Sequence, residues 1–225
     1  CETAVPGLYV AGEAGGYPVH GTYSVGGVNL ATCCVEGYRS GEYSSRYSKE
    51  MGLAPLNKTQ TGLLFSKISL PLKNKKGESP HHLMEEFSSL ICPADISIFR
   101  TNKSLKKALK GVRELQDKTS NLKAKDRLEV MQAHKMKNLL LCAEIIFRVE
   151  LMREESRGSH IRIDYPYRDN ANWLKWIVSS MNEKNKITLR TILVPVYRYP
   201  ARPDKYEKEP FSMPLPIISF FISPF

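Results

Sequence analysis

Residues 5–13, Val5-Pro6-Gly7-Leu8-Tyr9-Val10-Ala11-Gly12-Glu13, run almost directly into a second glycine-rich stretch, Gly15-Gly16-Tyr17-Pro18-Val19-His20-Gly21. Four apolar residues, Leu8 to Ala11, end in a glycine and then a carboxylate. This reads as a buried parallel strand whose C-terminal end meets something polar. In open α/β sheets the crevice beyond the carboxyl ends of the strands is where nucleotides bind. A helix is expected next, starting near Val28-Asn29 with Gly26-Gly27 just ahead of it, and running through Ala31, Cys34 and Val35 toward Gly41. Residues 1–50 therefore read as strand, glycine loop, helix.

Residues 51–94 read as a mixed connecting segment. Thr61 to Leu72 alternates enough to predict a strand or two, and Lys73-Asn74-Lys75-Lys76-Gly77 a turn. Pro80-His81-His82 opens a short helix through Phe87, and Pro93 starts another segment. Over 95–180 two helical stripes stand out: Leu105, Ala108, Leu109, Val112 and Leu115, then Leu128, Met131, Leu139, Cys142, Ile146 and Val149. They suggest an antiparallel helical bundle behind a basic outer face. Residues 181–225 are β-prone from Ile187 and hold six prolines between Pro195 and Pro216, which suits a short hairpin or an extended tail.

Composition sets bounds on function. With 42% hydrophobic residues, 225 positions can bury one core or two small ones. No run of 18 apolar residues occurs, so no transmembrane helix is expected. Residue 1 is Cys, and no basic region followed by an apolar one marks a targeting signal. Five cysteines without regular spacing argue against a disulfide framework and for a reducing, cytoplasmic setting. The net charge of +10 is concentrated: residues 103–137 carry eleven Lys or Arg against four Asp or Glu, or +7. A basic helical module could bind nucleic acid or an acidic protein, but such runs usually form solvated helix faces. The segment has no aromatic residue to stack on bases, so no nucleic-acid partner is expected. His81-His82 have no third ligand nearby, and no metal site is expected.

A second marker lies in the helical region: Glu155-Ser156-Arg157-Gly158-Ser159-His160-Ile161-Arg162-Ile163-Asp164-Tyr165-Pro166, continued by Arg168-Asp169-Asn170-Ala171-Asn172-Trp173. It closely resembles the E-S-R-G-x-H-x-R-x-D-[YF] element in the C-terminal domain of the succinate dehydrogenase and fumarate reductase flavoproteins. The opening stretch resembles the same family's P-G-L-Y-x-x-G-E signature. The resemblance implies a C-terminal fragment of a FAD-dependent oxidoreductase. Its fold would be an α/β fragment of a Rossmann-like FAD-binding domain over 1–50, then an α-helical bundle, mixed α+β overall. It further implies hydride exchange at flavin N5 and an iron–sulfur electron-transfer partner. The N-terminal remainder of the flavoprotein is a second implied partner, because no G-x-G-x-x-G pyrophosphate turn occurs in this sequence.

Carried over residue by residue, the resemblance makes Glu13 an acceptor for the ribityl hydroxyls of FAD. Asn29 and Leu30 match the family's Ser-Leu pair at a helix start facing the flavin C2 carbonyl, where a helix dipole would stabilise the reduced ring. His20 matches the histidine beside the flavin, a contact to ring or substrate or a structural residue. Taken alone, Glu13 and its glycines could equally form an ordinary strand-to-helix turn. Dicarboxylate-handling members read H-G-A-N-R-L-G where this chain reads His20-Gly21-Thr22-Tyr23-Ser24-Val25-Gly26. Ser24 cannot replace the bidentate fork of the arginine, so a dicarboxylate substrate is doubtful, and a flavin-binding electron-transfer or scaffold subunit is the rival reading. Arg157, His160, Arg162 and Asp164 could look catalytic, but a structural ion-pair network is the favoured reading.

Overall fold

In the computed structural model of the protein, the residues described are 1–16, 26–52, 55–198 and 208–211. The chain forms two compact units, residues 1–62 and 63–225.

In the first unit, the expected parallel strand is absent. Val5-Pro6-Gly7-Leu8 is a β-turn, in which Leu8 N donates to Val5 O at 3.0 Å and Gly7 takes φ 78°. Proline followed by a residue of positive φ is the type II pattern, and it folds the chain back on itself. Leu8 to Val10 consequently face Cys1 to Thr3: Thr3 N donates to Leu8 O and Val10 N to Cys1 O, both at 2.9 Å, around an antiparallel Glu2–Tyr9 bridge. Leu8 is 52% exposed, so the apolar run is not a buried strand either. A 3₁₀ turn, Gly12–Gly15, follows, and helix α1 spans Gly26–Met51. That helix begins earlier and runs longer than the sequence suggests.

The expected strands over 61–72 are helical: α2 is Lys58–Ile68 and α3 Leu70–Lys73. Asn57 starts α2, its Oδ1 accepting from Gln60 N at 2.9 Å in the manner of a helix N-cap. Helix α4, Pro80–Ile91, has Ser79 as N-cap and Pro80 in its first turn, and α5, Ala94–Ser97, follows Pro93. Strand β1, Phe99–Arg100, leads into α6, Asn102–Lys118. A capping box opens α6: Thr101 Oγ1 accepts from Ser104 N at 3.1 Å, while Ser104 Oγ accepts from Thr101 N at 3.0 Å. Helix α7, Arg127–Met152, is capped by Asp126, whose Oδ1 accepts from Glu129 N at 2.9 Å.

Helices α4, α6 and α7 enclose the core, which contains Leu83, Phe87, Leu105, Ala108, Val112, Ala133, Met136, Leu140 and Phe147. Gln116 meets the Leu140 carbonyl, while Arg113, earlier in α6, meets Glu144, later in α7; the two helices run antiparallel. The α6 stripe is as the spacing predicts. The α7 stripe is only partly so: Leu139 packs against the core, but Leu128, Met131 and Ile146 are more than half exposed, and Val130, Ala133, Met136, Leu140, Ala143 and Phe147 face the core instead. This helix is apolar on two sides, and packing against α4 and α6 selects the one carrying small residues, Ala133 and Ala143, between larger ones.

Beyond α7, β2 (Ile161–Arg162) pairs in parallel with β1, so that Arg100 lies beside Arg162. Strand β3, Tyr167–Asp169, precedes the short helix α8, Asn170–Trp173. Strands β4, Lys175–Met181, and β5, Ile187–Leu193, form an antiparallel hairpin that starts before the β-prone stretch recognised in the sequence. Its turn is organised by Asn182, whose Oδ1 accepts from Lys184 N and Lys186 N at 3.0 and 2.9 Å. Strand β6, Lys208–Pro210, pairs antiparallel with β3.

Candidate functional site: the Glu13 turn and a buried arginine–carboxylate network

In the first unit, α1 holds the turn that carries Glu13. Gly12 N donates to Glu36 Oε2 at 2.8 Å, and Ser40 Oγ donates to Val10 O at 3.0 Å. Glu36 and Ser40 are one helical turn apart, so both reach the same stretch of loop. Tyr9 packs edge-on to Tyr47, 6.5 Å between centroids, and a Cβ at Gly7 would stand 2.7 Å from the Tyr47 ring. The turn is thereby held just ahead of Glu13, whose carboxylate is exposed and takes no partner among the described residues.

Asn29 and Leu30 are the fourth and fifth residues of α1. In an α-helix the amides without an internal acceptor are those before them, here Gly26, Gly27 and Val28. No acidic residue stands in the first turn to offset the positive dipole end. An acceptor-rich carboxylate and the free amides of a helix start with no acid in its first turn are the acceptor and donor types a polyhydroxylated, partly anionic cofactor requires. His20 and Ser24 lie outside the described residues.

In the second unit, the Glu155–Pro166 element is a network saturated with internal bonds. Glu155, fully buried, accepts from Arg153 Nη1 at 2.6 Å, Arg157 Nε and Nη2 at 2.8 and 2.9 Å, and Asp169 N at 2.9 Å. Arg162, also fully buried, grips Asp164 with both arms of its guanidinium at 2.8 and 2.9 Å and donates to the carbonyls of Glu150 and Arg153. Asp164 in turn accepts from Asn102 N at 2.7 Å, joining the element to the start of α6. Arg100 reaches the Glu150 carboxylate at 3.0 Å and the carbonyls of Ser97 and Ser159. Arg153 donates to the carbonyls of Trp173 and Lys175 and lies 5.3 Å over the Trp173 ring.

Two proton affinities are displaced within this network. Burial lifts the Glu150 carboxyl to about 7, against the opposing pull of Arg100 and Arg162. Burial lowers His160 to about 4, helped by Arg100, Arg153 and Arg162, although the bond to the Arg153 carbonyl favours its charged form. His160 is thus neutral near pH 7, its Nε2–H assigned by that carbonyl at 3.3 Å. Asp164 is held below the usual carboxylate range, mainly by Arg162. A weakly basic imidazole and guanidiniums bound to carboxylates and carbonyls form a brace between α7, β1, β2 and α8. The sequence shows Arg157, His160, Arg162 and Asp164 as a cluster but misses Arg100, Glu150 and Arg153, which are ordinary charged residues on neighbouring elements.

Elsewhere, His81 and His82 pair with Glu85 and Glu86 along α4. Among the described residues no group of His, Cys, Asp and Glu has a metal-binding arrangement, no disulfide forms, and no helix is long and apolar enough to cross a membrane.

The sequence model of the fumarate reductase flavoprotein C-terminal region matches residues 89–207. The fumarate reductase flavoprotein subunit of Helicobacter pylori is 32% identical over 188 residues, covering 80% of this chain and 26% of that protein. The 8-methylmenaquinol:fumarate reductase flavoprotein subunit of Wolinella succinogenes is 28% identical over 219 residues, covering 91% of this chain and 35% of that protein. A point mutant of the E. coli quinol fumarate reductase FrdA superposes with a TM-score of 0.79 at 22% identity, over 92% of this chain and 36% of that one. The chain thus spans about a quarter to a third of the length of the curated relatives it matches. With the family model covering more than half of its residues and both sequence markers in order, the chain belongs to the succinate dehydrogenase and fumarate reductase flavoprotein family.

Proposed function

We propose that this chain supplies one wall of the FAD site, and a separate helical body, in a longer FAD-dependent oxidoreductase. The observation that carries the reading is the Glu13 carboxylate, carried on a turn that Glu36 and Ser40 of α1 hold at Gly12 N and Val10 O, and left without a partner among the described residues. Glu13 would accept hydrogen bonds from the ribityl chain. Residues Gly26 to Leu30 would present the positive end of α1 to the flavin C2 carbonyl, with Asn29 and Leu30 fixing the helix start. His20 would stand beside the ring. When bound, FAD supplies hydride exchange at N5, and electrons would leave through an iron–sulfur partner.

The brace in residues 63–225 has a supporting role, holding the C-terminal end of α7 against β1, β2 and α8. Ser24 sets the substrate question. A neutral hydroxyl there offers no fork to a substrate carboxylate, so the complete protein would turn over succinate and fumarate slowly, about a hundredfold below a site with an arginine clamp.

Flavin content of the complete protein tests the reading. Glu13→Gln removes the carboxylate charge with little change of shape. It should lower bound flavin per chain while leaving the fluorescence of Trp173 and Trp176, both in residues 63–225, unchanged. Wild-type flavin content in this variant would return Glu13 to an ordinary turn residue.

A further inference from the structure

The +7 segment finds no use in a flavin wall or in the brace. On α6, Lys103, Lys106, Lys107 and Lys110 follow one another at i, i+3, i+4 and i+7, which places them on one face over about 10 Å of helix. All four are exposed, and the opposite face is locked into the core by Leu105, Ala108 and Val112, each fully buried. Lys110 has an exposed pair with Glu114 at 3.7 Å; Lys103, Lys106 and Lys107 make no ion pair among the described residues.

This arrangement opposes the helix that carries it. The spacings create like-charge neighbours at 103–106, 103–107, 106–110 and 107–110, each of which weakens a helix. Three of these lysines stand in the first two turns, at the positive dipole end, where acids are favoured and where the first turn of α6 has none. Asp164, whose carboxylate accepts from Asn102 N at that end, is also held by Arg162 Nε and Nη2. A face that is self-repelling in isolation is relieved when a negatively charged surface covers it.

We propose that the Lys103–Lys110 face of α6 is a docking surface for an acidic polypeptide. The chemistry favours carboxylates over a nucleic acid. The stripe has no aromatic residue for base stacking and no arginine fork for phosphates, whereas single ammonium groups match single carboxylates spaced along a helix or strand. It also lacks the exposed apolar flank by which a basic helix enters a lipid interface.

The test uses a short fluorescein-labelled peptide rich in Asp and Glu, with binding followed by anisotropy at physiological salt. Lys103→Glu/Lys106→Glu/Lys107→Glu should weaken binding at least roughly tenfold, as expected when several charge contacts are reversed together. The control Lys73→Glu/Lys75→Glu/Lys76→Glu makes the same charge change on exposed lysines elsewhere and should cost less than about twofold, since surface charges beyond a Debye length are screened. The stripe variant should also keep or raise its melting temperature, because acids replace cations at the positive end of α6. If the reversal disturbs folding, the three Lys→Gln replacements must give the same ordering against their own control. Equal losses at both sites would reduce the effect to net charge and overturn the proposal. So would a short DNA duplex that displaces the peptide more strongly than unlabelled peptide of equal charge.

Discussion

Replacing Glu155 by Gln tests the brace most sharply, because the side chain is fully buried and four donors converge on it. Glutamine keeps the shape but removes the charge and turns one acceptor oxygen into an NH₂ group. Arg153 and Arg157 are themselves only 12% and 19% exposed as side chains, so neither recovers full hydration when its carboxylate is lost. Breaking one side of such a buried pair costs about 3–5 kcal/mol, mostly for the charges left behind. In a unit of this size each kcal/mol lowers the melting temperature by about 2–4 °C, giving a fall of about 6–20 °C. The assay is urea unfolding followed by tryptophan fluorescence. Both tryptophans lie in residues 63–225, and Trp173 stacks on Arg153, so the signal reports this unit and the site itself. A stability change within about 0.5 kcal/mol, the range of an ordinary surface substitution, would refute the buried network as a brace.

Glu150 and His160 give opposing pH dependences. With its carboxyl raised to about 7, Glu150 binds more protons folded than unfolded between about pH 4.5 and 7, so its contribution falls as pH rises through that window. His160, lowered to about 4, binds fewer protons folded than unfolded, so its contribution rises with pH between about 4 and 6.5. Each is worth on the order of 3 kcal/mol and they largely cancel in the wild type. Glu150→Gln should expose the rising limb and His160→Asn the falling one, and parallel stability–pH curves for both variants would contradict the assignment. Leu140→Ala, in the fully buried stripe of α7, should cost about 2–5 kcal/mol, whereas Met131→Ala on the exposed stripe should stay within about 0.5 kcal/mol. Similar values in urea unfolding would mean the helix is rotated from the orientation described. Gly77, at φ 151°, has no room for a side chain: a Cβ would lie 2.1 Å from the Asn121 carbonyl oxygen. Gly77→Ala should cost at least about 1–3 kcal/mol by the same assay, and a neutral result would remove the close contact.

What the sequence discloses and conceals follows from the physics of particular residues. The α6 stripe is legible because one apolar face alternates with one charged face. On α7 the same reasoning selects the wrong side, since Leu128, Met131 and Ile146 are as hydrophobic as Met136, Leu140 and Phe147. Only packing against Leu83, Leu105 and Val112 decides between them. Leu8 to Ala11 look like a strand by composition, yet the Pro6-Gly7 turn just ahead sends them into an antiparallel bridge. Over 61–72 a short apolar alternation outweighs the Asn57 cap that in fact starts a helix. At the brace, a charge cluster within eight residues is visible in one dimension. Its partner Arg100 joins it through a two-residue parallel pairing too short to have a periodicity, and Glu150 joins it from the far end of α7 by bonding Arg100 and Arg162.

Whether these residues form part of a flavin site is read from the visible absorption spectrum of the complete protein, purified without added cofactor. A flavin spectrum approaching one flavin per chain is expected, diminished in Glu13→Gln. A folded complete protein that is flavin-free as purified and stays so after incubation with excess FAD would contradict the flavin-site assignment.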